Sequence, residues 1–131
     1  MASQIWPAVI TLLSLGILLW VAFIVGHYRV KCNVKAPATT GDPLFERAYR
    51  VQMNTIESAI VYLPALWLAA RWGSWYVVVI AGALWIVGRI IYALAYLKDP
   101  ASRSLGFVIS FAAIVFLIAD TAIGLVRAAI A

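Results

Sequence analysis

FERAYRVQMNTIESAIVYLPALWL, residues Phe45–Leu68, begins as a charged helix and ends as hydrocarbon. Its first half carries Glu46, Arg47, Arg50, Gln52, Asn54 and Glu57. A helix turns about 100° per residue, so Arg47, Arg50, Asn54 and Glu57 share one face, with Gln52 nearly opposite. Ionisable groups inside a membrane segment are costly and point to function. An ion-pair lattice that only ties helices together is the competing reading.

The rest of the chain supports a membrane setting. Of 131 residues, 66% are hydrophobic and only 11% charged, against about 25% charged in soluble domains. Mean hydropathy is +1.01. The apolar runs are long and continuous rather than alternating, which predicts helices and not a barrel. The net charge of +5 has little soluble surface to present. It is read as membrane orientation, an anionic ligand, or both, and not as nucleic-acid binding. One cysteine, Cys32, excludes an intrachain disulfide framework, and a single histidine, His27, argues against a histidine-based metal site. Neither HExxH, GxSxG nor a phosphate-binding loop is present, and His27 alone supplies no base for a serine nucleophile.

The expected architecture is an all-α membrane protein, a four-transmembrane-helix bundle in a single domain over residues 1–131. Helices are expected at about 5–29, 43–70, 75–97 and 103–130. No basic residue precedes the first apolar run, so it reads as a retained helix and not as a secretory signal. Gly16 and Gly26 offer sites of close helix approach. Asp42 and Pro43 form a capping residue and a first helical position. Pro64 is expected to kink the second helix. On the third, Gly88, Arg89, Tyr92 and Tyr96 share a face. Arg89 lies two turns inside the membrane and needs a partner; Glu57 lies at a comparable depth, and an ion pair Glu57–Arg89 is predicted. Asp120, deep in the fourth helix, has no evident partner. Arg29, Lys31, Lys35, Lys98 and Arg103 crowd the first and third loops, against Arg71 and Arg127 on the other side. The positive-inside rule therefore places those loops in the cytoplasm and both termini opposite.

Arg29, Arg50 and Arg103 as cations, Gln52 and Asn54 as amides, Glu57 as a carboxylate and two tyrosines suit a small zwitterionic peptide with excess negative charge. FERAYRVQMNTIE, followed by GRIIYALAYLKDPASR, resembles the MAPEG family of microsomal glutathione S-transferases, leukotriene C synthase and relatives. The resemblance implies a homotrimer of four-helix subunits with glutathione held between neighbours on the cytosolic side. It implies glutathione contacts at Arg29, Arg50, Gln52, Asn54, Glu57, Tyr92, Tyr96 and Arg103, with Arg103 as the catalytic arginine that steadies the thiolate. The implied partners are glutathione as co-substrate, a lipophilic electrophile or lipid hydroperoxide, and membrane lipid; no metal is implied. Ser58 stands where leukotriene-forming members carry an aromatic residue, and Val30 where leukotriene C synthase carries a second arginine. The sequence therefore fits general conjugation or peroxide reduction better than leukotriene synthesis. Three other readings remain: a non-catalytic lipid-binding relative, a small multidrug transporter that uses Asp120 as its acid, and a purely structural membrane subunit.

Overall fold

The computed structural model describes residues 2–131. Four helices follow one another: α1 (Ala2–Lys31), α2 (Pro43–Trp72), α3 (Trp75–Lys98) and α4 (Ser104–Ile130). A 3₁₀ turn, Pro100–Arg103, precedes α4, so Arg103 closes that turn instead of opening the helix. By length and composition α1, α3 and α4 are apolar enough to cross a membrane. The charged first half of α2 keeps it outside that group, so composition supports three of the four expected spans.

Local chemistry sets the start of α2. The Asp42 carboxylate accepts the Leu44 and Phe45 N–H groups at 2.8 and 3.4 Å, and Pro43 occupies the first turn where its missing N–H costs nothing. Glu46 reaches back to the Gly41 N–H at 3.0 Å. From there α2 runs unbroken through Pro64.

Contacts across the bundle fix an up-down-up-down order. Ser14 meets Tyr62, Asn54 meets Arg89, and Arg89 meets Ser110, so each helix is antiparallel to its successor. Aromatic side chains with polar tips must find partners inside such a bundle, since lipid offers none. Tyr62 stacks on Trp85 with ring centroids 4.0 Å apart and planes 3° from parallel. The Trp85 indole N–H donates to Ser58 Oγ at 2.9 Å, and the Tyr62 and Ser14 hydroxyls lie 3.1 Å apart.

A close crossing joins α3 to α4. A Cβ at Gly88 would lie 2.8 Å from the Ser110 backbone nitrogen, and one at Gly106 would run into the backbone of Tyr92 and the Gly88 carbonyl. Both positions need glycine because backbone cannot yield as a side chain can. Gly16 and Gly26, expected to serve close approach, instead face open space.

Asp120 has a structural partner. It accepts the Ser74 N–H at 2.6 Å and the Ser74 hydroxyl at 3.1 Å, and so caps α3 from a distance while tying α4 to the α2–α3 turn. Asp120→Ala is expected to cost about 1–2 kcal/mol, read as a lower melting temperature in detergent, with Asp120→Asn losing less.

Candidate functional site

At the end of the bundle that holds the first and third loops, α2, α3 and α4 diverge around a cavity of about 530 Å³. Arg50, Asn54, Tyr92, Tyr96 and Arg103 line it, joined by Ser104, Phe107 and Val108. The start of α1 and the end of α4 lie at the other end, beside the α2–α3 turn that Asp120 binds.

Each polar group is positioned by its own element. Tyr92 and Tyr96 are one turn apart on α3, with ring centroids 5.6 Å apart. Arg103 is held by the 3₁₀ turn, its guanidinium donating to the Pro100 carbonyl at 2.9 Å and standing 5.9 Å from the centre of the Tyr96 ring. The turn itself is pinned to α3 by the Ser102 hydroxyl, within hydrogen-bond distance of the Ala95 and Asp99 carbonyls at 3.1 and 2.8 Å. Arg47 caps the C-terminus of α3 through the Leu97 and Lys98 carbonyls at 3.3 and 3.2 Å, a favourable place for a cation.

Arg50 and Glu57 form an ion pair at 3.8 Å with both side chains more than half exposed. A pair so exposed contributes little stability, so both groups are free to turn to a ligand. The Glu57–Arg89 pair expected from the sequence is not formed. Arg89 is buried, and it donates to Asn54 Oδ1 at 2.8 Å and to Ser110 Oγ at 3.1 and 2.5 Å. The reason is register and rotation. Ser58 meets Trp85, which puts Asn54 level with Arg89, and Glu57 is turned about 60° further from the buried stripe.

A second cavity of about 230 Å³ continues deeper between α2 and α4. It shares Asn54 and Phe107 with the first and is walled by Glu57, Arg89, Phe111 and Ile114. The two cavities thus lead from two exposed arginines to a chamber where Glu57 and Arg89 meet Phe107, Phe111 and Ile114.

Arg29 and Gln52 do not join this cavity. Arg29 lies over the Phe45 ring at 4.6 Å and donates to the Ala38 carbonyl at 2.7 Å, bracing the first loop. Gln52 sits on the far face of α2, half-buried. Phe107, Ser104 and Val108 escaped sequence reasoning, because apolar and small residues in an apolar helix give no signal. Cys32 is no ready nucleophile: burial and the neighbouring Asp42 carboxylate push its thiol up from the ordinary range.

Comparison with known proteins gives a consistent pattern. The sequence profile of the MAPEG family matches residues 7–123. An uncharacterized protein of Synechocystis is 44% identical over 103 residues, 79% of this chain and 75% of that one. Human microsomal glutathione S-transferase 2 is 31% identical over 123 residues, 94% of this chain and 84% of the relative. Leukotriene C4 synthase of Bos taurus is 30% identical over 118 residues, 90% and 79% of the two chains.

Proposed function

We propose, because this chain belongs to the MAPEG family, that it is a membrane-bound glutathione transferase that conjugates lipophilic electrophiles. It is a multi-pass integral membrane protein. In this reading all four helices cross the bilayer, the cavity end faces the cytoplasm, and both termini lie on the other side. The observation that carries the reading is the convergence of Arg50 and Arg103, from separate elements, on one cavity with Asn54, Tyr92 and Tyr96.

The chemistry follows from charge. A free thiol has a pKa of about 8.5 and is mostly protonated at neutral pH. Arg50 takes a carboxylate of glutathione by paired hydrogen bonds, Glu57 swings to its ammonium, and Arg103 faces the sulfur. A guanidinium beside the sulfur favours the thiolate. The thiolate attacks an electrophile that enters sideways from the lipid through the inner chamber. Holding both reactants adds a proximity term. With a lipid hydroperoxide, the same thiolate takes the outer peroxide oxygen and the alkoxide leaves as the alcohol; a second glutathione then converts the sulfenic acid to disulfide and water.

Arg29 and Gln52 face away from the cavity of their own subunit. A homotrimer that brings them to a neighbour's cavity gives both a role as glutathione contacts. Ser58 is committed to Trp85 in the core, which leaves no aromatic wall there of the leukotriene-forming kind. The test is turnover of an aryl halide with glutathione by the purified protein. Measurable conjugation supports the transferase; glutathione binding without turnover of halide or hydroperoxide favours a non-catalytic binder.

A further inference from the structure

Among the described residues, buried Arg89 has no carboxylate partner, and the atoms it does touch form a chain with one direction. The Ser110 hydroxyl lies 2.9 Å from the Gly106 carbonyl of its own helix. Its proton goes to that acceptor, which leaves the oxygen lone pairs for the guanidinium. Arg89 gives Nε–H and Nη2–H to this oxygen and Nη1–H to Asn54 Oδ1 at 2.8 Å. The Tyr92 ring lies under the guanidinium at 4.4 Å and restricts its swing. A guanidinium has only donors, so it accepts nothing from an amide NH2 group. The end of Asn54 that faces Arg89 is therefore the oxygen, and the side chain cannot turn over without leaving a buried cation unpaired. Asn54 also lines the main cavity. Its NH2 end points away from Arg89 and has no hydrogen-bond partner among the described residues.

We infer that Arg89 is a positioning residue: it holds the Asn54 oxygen inward so that the Asn54 NH2 group donates into the main cavity, to a carboxylate or peptide oxygen of bound glutathione. The assignment rests on the transferase reading for its ligand, but the Arg89–Asn54 pair is independent of it. With Asn54 set this way, Arg50, Arg103 and Asn54 all present donors to the cavity. This matches a ligand rich in oxygen acceptors and disfavours one that leads with an ammonium group at that point.

The test uses variants at both positions in the full-length purified protein. Asn54→Asp gives Arg89 a carboxylate and puts a charged acceptor where the NH2 donor stood. It is expected to melt no lower than the unaltered protein, while KM for glutathione rises roughly tenfold. Arg89→Met releases Asn54 and is expected to raise KM similarly, with Arg89→Lys recovering part of the loss. Arg89→Met combined with Asn54→Leu is expected to bind glutathione no worse than Asn54→Leu alone, because Arg89 acts through Asn54. Unchanged KM in Asn54→Asp, or losses that multiply in the double variant, overturns the inference. If Arg89→Met does not fold, Asn54→Asp and Arg89→Lys decide. If the unaltered protein binds no glutathione, the transferase reading falls, and melting temperatures alone judge the pair. Asn54→Asp at or above the unaltered value with Asn54→Leu below it then supports the inward oxygen, and equal values for all three overturn it.

Discussion

Arg103→Ala is expected to lower kcat/KM for an aryl halide roughly ten- to a hundredfold at neutral pH, while the protein stays folded. Arg103 is exposed, and its bond to the Pro100 carbonyl lies within a surface turn, so its removal costs little stability. Its effect falls on the bound thiol. A cation a few ångströms from the sulfur lowers the thiol pKa by about one to two units, and each unit is a tenfold change in thiolate below both pKa values. The sign with pH follows. In the unaltered protein the rate reaches its plateau below the ordinary thiol range. In Arg103→Ala it keeps rising with pH to about 8.5 or beyond, so the gap between the two closes as pH rises. Arg103→Lys is expected to lie between them, since it keeps the charge but not the planar fork. A gap that stays constant across the pH range would show that Arg103 acts on something other than thiol ionisation.

Gly106→Val is expected to have a large effect on the fold, a loss on the order of 3 kcal/mol. A side chain at this position meets the Tyr92 backbone and the Gly88 carbonyl, and neither can move without opening the α3–α4 crossing. Activity is expected to fall with stability, because Gly106 lies one turn from Arg103, and a displaced α4 carries the guanidinium away from Tyr96. The control is Gly16→Ala. That glycine faces open space on α1, so alanine there is expected to be neutral or to stabilise by up to about 1 kcal/mol through helix propensity. Thermal unfolding of both variants in one detergent checks the pair. Gly106→Val as stable as the unaltered protein would mean that the crossing is not tight.

Local signals in the sequence were legible and distant ones were not. Asp42 and Pro43 announce the start of α2 because a cap is chemistry between neighbours. Tyr92 and Tyr96 announce a shared face because helical spacing is fixed. Glu57 and Arg89 were matched by depth alone, but depth does not set rotation, and the α2–α3 register gives Asn54 to Arg89 instead. Asp120 gave no partner because its acceptors serve the Ser74 N–H, a backbone group that no sequence pattern displays. That engagement also removes the free membrane acid a transporter mechanism would use. Gly88 and Gly106 looked like Gly16 and Gly26: an apolar helix with glycines does not say which face meets a neighbour. Charge and resemblance both point Arg29 at a ligand, whereas within its own chain it braces the first loop against Phe45.

The central claim is that Arg103, in the cavity with Arg50 and Asn54, holds glutathione as a thiolate at neutral pH. Difference absorbance of the purified protein on adding glutathione reads this directly. A thiolate band is expected that saturates with glutathione, persists below the ordinary thiol pKa, and is lost in Arg103→Ala. Bound glutathione without that band, or a band unchanged in Arg103→Ala, would contradict it.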